Sequence, residues 1–242
     1  MESLILDMKM KINICDRTYM IDDKINNLLD ILNSIKKVQN HSLSFKHGCK
    51  SGICGSCSMR VNGVEKLACI TSIKDKDIVL PLNNLEIIKD LVVNSSNIKN
   101  KLLQSKSQID TFINTNISQN DVDKIDIHSN CILCNSCFSS CPVFEVNKDF
   151  IGPFALTRAY RYINDKKESS ILTKLDAVQT SGIWDCTLCG ACDLVCPSNI
   201  PIKNDIIALQ NLSVQNGYEN PAFATDAGFD MGFDSNDFGF TP

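Results

Sequence analysis

The chain has 242 residues, a net charge of −4 and 43% hydrophobic residues, enough for one large or two ordinary domains with a packed core. The mild acidity excludes the basic patch or stripe of a nucleic-acid-binding protein. Thirteen cysteines stand out. The start, MESLILDMKMKINIC, shows neither the basic leader nor the cleavage site of a secretory signal, and no run is apolar for long enough to predict a membrane span. We therefore expect cysteines that bind metal rather than form disulfides.

Residues 1–100 contain β-prone runs and one helical pattern. The runs are MKMKINIC, SMRVNGV and DIVLPL, and Asn62-Gly63 predicts a hairpin between two strands. A helix is predicted to begin near Asp22 or Asp23, which are good N-cap residues. Its buried face is predicted from helical spacing to hold Leu28, Ile31, Leu32 and Ile35. These features predict a small half-open sheet packed against one helix.

Residues 105–215 carry helical patterns and little strand signal. Pro153 and Pro201 suit the starts of helices. Apolar residues at helical spacing predict three buried faces, formed by Leu156, Ala159, Tyr160 and Ile163, by Leu172, Leu175 and Val178, and by Ile206, Ile207 and Leu209. The polar stretch 94–108 is predicted to connect the two parts of the chain.

Residues 217–242 repeat Gly-Phe-Asp and show no core periodicity. We expect a disordered tail. The alternative is a docking peptide that becomes ordered only on a partner, with anchors at Phe223, Phe229, Phe233 and Phe238.

The first cysteine cluster has the plant-type [2Fe–2S] spacing, C-x4-C-x2-C followed by a more distant cysteine. Glycines within it allow a tight turn that brings backbone amides near the sulfur atoms. Zinc sites usually pair two C-x2-C knuckles, which this spacing does not do. A Rieske centre needs two histidine ligands, and the three histidines have no suitably spaced cysteine. The predicted [2Fe–2S] ligands are Cys49, Cys54, Cys57 and Cys69.

Two later runs, CILCNSCFSSCP and CTLCGACDLVCP, have the bacterial ferredoxin spacing. In paired runs of this kind, the fourth cysteine of each run ligates the other cluster. One [4Fe–4S] cluster is therefore predicted on Cys131, Cys134, Cys137 and Cys196. A third cluster is predicted on Cys141, Cys186, Cys189 and Cys192; it is [4Fe–4S] if Cys189 is a ligand and [3Fe–4S] if it is not.

Three clusters in one small chain predict a relay for single electrons. The sequence has no GxGxxG fingerprint for a dinucleotide and no constellation of acid, base and nucleophile, so no catalytic residue and no substrate chemistry are predicted on this chain. Cys15 lies outside every metal spacing and is predicted to be an inert, buried thiol.

Four blocks of the sequence together resemble the iron–sulfur subunit of succinate dehydrogenase and fumarate reductase: FKHGCKSGICGSCSMRVNGVEKLAC, CILCNSCFSSCPVF, DFIGPFALTRAYRYINDKK and SGIWDCTLCGACDLVCP. The resemblance implies an α+β architecture, with an N-terminal β-grasp [2Fe–2S] ferredoxin domain at 1–100 and a C-terminal all-α dicluster ferredoxin domain at 105–215. It implies two partners, a flavoprotein subunit with FAD and a membrane-anchor subunit with a quinone, often menaquinone. The chain would then lie peripherally on the cytoplasmic membrane, on its cytoplasmic face in preference to the periplasmic one.

Two departures from the usual family pattern are visible. The position of Cys189 is usually apolar or small, and a non-classical branch with cysteine there is thought to carry a second [4Fe–4S] cluster. A tryptophan pair near the quinone is replaced here by Glu145 and Val146, and Thr187 stands where a histidine is common. These changes leave two alternatives open: a related reductase with a thiol or other non-quinone donor, and a free multi-cluster ferredoxin.

Overall fold

The computed structural model describes residues 9–222, so the predicted tail is covered only to residue 222, and the four phenylalanines named as anchors lie outside the described part. The strands are β1 (Lys9–Ile14), β2 (Arg17–Asp22), β3 (Ser58–Val61), β4 (Val64–Leu67), β5 (Ile78–Leu80), β6 (Ile87–Lys89) and β7 (Val92–Val93). The helices are α1 (Leu28–Val38), α2 (Asn97–Gln104), α3 (Gln119–Asp123), α4 (Asp126–Ser129), α5 (Ser136–Ser139), α6 (Pro142–Val146), α7 (Pro153–Ile163), α8 (Ile171–Ala177), α9 (Ala191–Leu194) and α10 (Ile202–Gln215).

The first half is a mixed sheet with α1 packed against it. The strand order is β2-β1-β5-β3-β4, and β1 and β5 pair in parallel while the other pairs are antiparallel. Asn62 and Gly63 turn the β3–β4 hairpin with φ of 51° and 82°, the left-handed pair that a two-residue hairpin loop requires. The sheet with one helix is the β-grasp arrangement expected from the resemblance.

Helix α1 begins later than the sequence predicted. Asn27 is its N-cap, and the Asn27 side chain accepts hydrogen bonds from the amides of Leu29 and Asp30. Asp22 instead ends β2, where it pairs with Lys9, and Asp23 lies in the turn that follows, so neither residue proposed as the cap reaches the helix. The predicted inner face is correct, because the side chains that it names are all fully buried: Leu28, Ile31, Leu32 and Ile35.

The second half is helical and has its own apolar core around α7 and α10. Pro153 occupies the first turn of α7, and Pro201 precedes α10, as predicted. Leu175 and Val178 are fully buried as predicted, but Leu172 is 56% exposed, contrary to expectation. The short α8 turns Lys174 inward beside Leu175 instead. Within residues 9–222, no helix combines the length and apolarity that a membrane crossing requires.

The stretch 94–108 is more than a connector. It contains α2, and Ser105 and Ser107 after α2 are buried. Their hydroxyls lie 2.7 Å apart, and the Ser107 hydroxyl donates to the carbonyl of Ala155 in α7. Polar composition misled the prediction here because these hydroxyls are satisfied inside the protein, where a hydrogen bond offsets the cost of burial.

The buried side chain of Lys174 fixes the loop that follows α2 to α8. The Lys174 side chain is fully buried, and its Nζ lies 3.0 Å from Glu168 and 3.2 Å from Asp110. The same ammonium donates to the carbonyls of Lys106 and Gln108. Burial opposes ionisation of Glu168, but hydrogen bonds from neighbouring amides and from Lys174 outweigh it and hold the Glu168 pKa at about 2.

The Lys174→Met variant is expected to lose on the order of 3–5 kcal/mol of stability, because it leaves the buried Glu168 carboxylate unpaired. The matched control is Lys166→Met, which breaks a half-exposed pair with Asp121 and is expected to cost under about 1 kcal/mol. Chemical denaturation measures both. In the parent protein the Glu168 contribution is complete above its ordinary pKa of 4.5 and is lost as the pH falls from there towards 2. Equal costs for the two variants would contradict the assignment.

Candidate metal centres

The first thiol set surrounds the loop that precedes β3. Cys49 and Cys54 are exposed on this loop, while Cys57 at its end and Cys69 in the turn after β4 are buried. The Sγ atoms of Cys57 and Cys69 lie 3.4 Å apart. The Gly52 amide reaches Cys69 Sγ at 3.2 Å, so the loop folds back over the cysteine that is most distant in sequence.

Backbone amides of this loop point at its sulfur atoms. The amides of Ser51, Ile53 and Cys54 donate to Cys49 Sγ at 3.3–3.4 Å. Hydrogen bonding, from Ser51 above all, lowers the pKa of Cys49 to about 6, whereas burial raises that of Cys57 to about 11. The exposed part of the loop is therefore arranged to stabilise negative charge on the sulfur atoms of Cys49 and Cys54.

The two later cysteine runs adopt the same backbone path. Leu133 and Asn135 in the first run have φ of 53° and 64°, and Leu188 and Gly190 in the second have φ of 54° and 76°. Each run then enters a short helix, α5 or α9. This repeated turn directs three thiols of each run to one side and carries the fourth cysteine away towards the other run.

Each run lines a cavity together with one cysteine of the other run. The first cavity has an empty volume of about 350 Å³, and its thiols are those of Cys131, Cys134, Cys137 and Cys196. The second has about 330 Å³, and its thiols are those of Cys141, Cys186, Cys189 and Cys192. The structure therefore brings together the two crossed sets that the spacing predicted, with Cys189 on the wall of the second cavity.

The donor set of each cavity fits an iron–sulfur cluster. Four cysteines surround one space in each cavity, and a [4Fe–4S] cluster takes four cysteine thiolates. Burial raises the pKa of Cys137, Cys141 and Cys192, and bound cationic metal would reverse that shift by taking the thiolate form as its ligand. Apolar side chains such as Phe150 and Ile206 also line the second cavity.

Cys15 lies in the turn between β1 and β2 and lines neither cavity. Its amide donates to the carbonyl of Val79 in β5. Burial raises the pKa of this thiol, which keeps it protonated at neutral pH.

Two serines beside the thiols were not predicted. The Ser56 hydroxyl lies 2.9 Å from Cys54 Sγ, and the Ser136 hydroxyl lies 3.4 Å from Cys134 Sγ. Such contacts stabilise a thiolate and help to set the potential of a cluster. The shared pattern Cys-x-Ser-Cys at 54–57 and 134–137 was the available signal.

Comparison with family models matches both halves of the chain. Residues 8–100 match a model described as a 2Fe-2S iron-sulfur cluster binding domain. Residues 127–200 match one described as a 4Fe-4S dicluster domain. The two matches support the predicted order of a [2Fe–2S] ferredoxin domain followed by a helical dicluster domain.

Curated relatives of this chain are named as iron–sulfur subunits of fumarate reductase or succinate dehydrogenase. The chain is 33% identical over 213 residues to the 8-methylmenaquinol:fumarate reductase iron-sulfur subunit of Wolinella succinogenes, covering 81% of this chain and 66% of that protein, slightly under two thirds. It is 36% identical over 192 residues to the fumarate reductase iron-sulfur subunit of Escherichia coli O6:H1, covering 74% and 77%. It is 32% identical over 201 residues to the mitochondrial succinate dehydrogenase [ubiquinone] iron-sulfur subunit 3 of Arabidopsis thaliana, covering 76% and 64%.

A solved structure supports the fold independently. A chain of the Mycobacterium smegmatis Sdh1 complex in the apo form superposes with a TM-score of 0.77 at 23% identity, covering 88% of this chain and 98% of that one. At this identity the likeness concerns the fold alone. The curated relatives settle the family: the chain belongs to the electron-transfer iron–sulfur subunits of fumarate reductase and succinate dehydrogenase.

Proposed function

We propose that this chain relays electrons between the FAD of a flavoprotein subunit, where succinate and fumarate interconvert, and a quinone-linked membrane-anchor subunit. The observation that carries the proposal is the exchange of cysteines between the two later runs, which creates two thiol-lined cavities beside the first thiol loop. A relay needs several one-electron sites close together in one chain, and these neighbouring thiol sets fit that need. The curated relatives favour this function over the thiol-linked and free-ferredoxin alternatives.

We assign the ligands from the thiols that the fold brings together. The [2Fe–2S] site takes Cys49, Cys54, Cys57 and Cys69. The middle [4Fe–4S] site takes Cys131, Cys134, Cys137 and Cys196. The third site takes Cys141, Cys186, Cys189 and Cys192.

The third site is proposed to hold a [4Fe–4S] cluster. Its cavity is nearly the same size as the middle one. Both cavities have four thiols on their walls, and Gly190 follows Cys189 with the same left-handed backbone that Asn135 shows after Cys134. The iron atom at the fourth corner of such a cluster would meet the Cys189 thiolate, and cysteine thiolate is the usual protein ligand of iron–sulfur clusters.

The residues around the sites control charge and water. Bound clusters would supply the one-electron redox chemistry, which moves no proton and breaks no bond on this chain. The amides of Ser51, Gly52 and Ile53 stabilise negative charge on the sulfur atoms of the exposed loop. The buried Cys57 and Cys69 keep water from the inner side of that site.

The faces around the first and third sites fit docking to partners. Ile53 and Ile70, next to the first thiol loop, are 69% and 60% exposed, and we propose that they contact the flavoprotein subunit. Val146, after the third-site Cys141, is 86% exposed, and we propose that it faces the anchor subunit. The chain would then sit peripherally at the cytoplasmic face of the membrane through its partners.

The Cys57→Ser variant tests the relay. It is expected to lose the [2Fe–2S] signal in electron paramagnetic resonance (EPR), to keep the other two centres on dithionite reduction, and to block their reduction by succinate in the purified complex. The matched control is Cys15→Ser in the same domain, which is expected to change nothing. Undiminished reduction by succinate would contradict the relay, and loss of all three centres would show that the first domain is required for folding of the whole chain.

A further inference from the structure

The backbone of the first thiol loop packs against the first of the two later cysteine runs at Gly55. Gly55 lies between Cys54 and Cys57, and a Cβ atom built on it would stand 2.8 Å from Cys134 Cβ and 3.1 Å from Cys134 Cα. It would also stand 3.0 Å from the carbonyl oxygen of Ile132. These are backbone and Cβ atoms rather than flexible side-chain ends, so the Gly55 backbone is packed directly against Cys134.

This contact joins ligands of two different proposed sites. Gly55 is bonded to Cys54, and Cys134 lines the middle cavity. Cys54, Gly55 and Cys134 also border one open cleft between the two halves of the chain. A short covalent and through-space route between the first two thiol sets therefore passes through the Gly55–Cys134 contact.

Hydrogen bonds hold the two halves together beside this contact. The buried Ser139 hydroxyl donates to Glu65 at 2.7 Å and accepts from the Asn83 amide at 2.8 Å. The Asn84 side-chain amide donates to the carbonyls of Phe138 and Ser139. These bonds fix α5 against β4 and the loop after β5, so the halves have little freedom to absorb an added atom.

We propose that Gly55 is a positioning residue that sets the distance for electron transfer between the [2Fe–2S] site and the middle [4Fe–4S] site. The inference rests on the ligand assignment proposed above. One electron leaves the reduced first site and arrives at the oxidised second site, and no bond or proton changes. Because tunnelling rates fall steeply with distance, a shift forced by one methyl group at Gly55 slows this step.

Backbone conformation alone also requires glycine here, since Gly55 has φ of +69°. The chain offers a control for that requirement. Gly63, in the β3–β4 turn, has φ of +82°, and a Cβ atom built on it meets nothing within 4 Å. A Gly63→Ala variant therefore carries the same kind of backbone strain without any contact between the two halves.

The experiment compares Gly55→Ala and Gly63→Ala in the purified complex. The readouts are iron content, midpoint potentials, the magnetic interaction between the first two centres in EPR, and the rate at which the second centre is reduced after the first. Gly55→Ala is expected to keep its iron and its potentials, to weaken the magnetic interaction, and to slow the transfer several-fold. Gly63→Ala is expected to match the parent protein in all four.

An unchanged interaction and rate in a fully loaded Gly55→Ala protein would overturn the inference. If the Gly55→Ala variant does not assemble, Ser139→Ala replaces it, because this change loosens the same interface at a distance from the thiols. A weaker magnetic interaction between the first two centres supports the inference, and an unchanged magnetic interaction overturns it. Absence of the two centres from the parent protein would instead overturn the proposed function, so the two failures are distinguishable.

Discussion

In the Cys189→Ala variant, the third centre is expected to lose one iron per chain and to show the signal of an oxidised three-iron cluster. The reason is local. Each corner iron of a four-iron cluster needs a thiolate, and Cys189 stands on the wall of the second cavity with Cys141, Cys186 and Cys192. Removal of this thiol leaves one corner without a protein ligand, and that iron is the one lost.

Low-temperature EPR on the anaerobically purified complex, with iron counted per chain, measures this change. The parent protein is expected to lack the oxidised three-iron signal and to show two interacting four-iron centres after dithionite reduction. The Cys15→Ala control removes a thiol that lines neither cavity and is expected to behave as the parent. A stoichiometric three-iron signal in carefully handled parent protein would show that Cys189 is idle.

A reciprocal pair of variants tests the crossed thiol sets. Cys196→Ser is expected to damage the middle centre more than the third, although Cys196 belongs to the last run, because its thiol lines the cavity of Cys131, Cys134 and Cys137. Cys141→Ser is expected to do the reverse, since Cys141 lines the cavity of Cys186, Cys189 and Cys192.

The measurement for this pair is the EPR signal of each centre with iron content, recorded on both variants and the parent. Cys196→Ser is expected to lose most of the signal of the middle centre, and Cys141→Ser is expected to lose most of the signal of the third centre. Each variant serves as the matched control for the other, because both remove the fourth cysteine of a run ahead of a proline. The opposite assignment of losses would refute the exchange of ligands.

Much of the candidate site could be predicted because its information is local. The spacing within each cysteine run determines which thiols a short loop can present together, and two equal runs imply an exchange of their last cysteines. The β3–β4 hairpin was also predictable, since Asn62-Gly63 supplies the left-handed turn by itself. In each case a few consecutive residues are enough to determine the local backbone path or the set of thiols that the loop presents.

The contacts that position the sites could not be predicted in this way. Gly55 meets Cys134, and Glu65 accepts from Ser139, only after two halves of the chain have docked. The burial of Lys174 likewise depends on carboxylates at Asp110 and Glu168 that lie far from one another in sequence. Contacts between residues far apart in the chain produce no spacing pattern that could be recognised in the sequence. For Lys174, tertiary packing overrides the usual expectation that lysine is exposed.

The exchange of cysteines also constrains how the protein is made. The first of the two cavities has Cys131, Cys134 and Cys137 on one wall, but its fourth thiol, Cys196, is synthesised after the whole of α7 and α8. During translation neither cavity is complete until the last run has emerged and the intervening helices have folded back. Under the proposed ligand assignment, we expect iron to enter the helical domain only after the last run has folded back. A truncation before residue 196 removes a wall from the cavity whose other cysteines were made first.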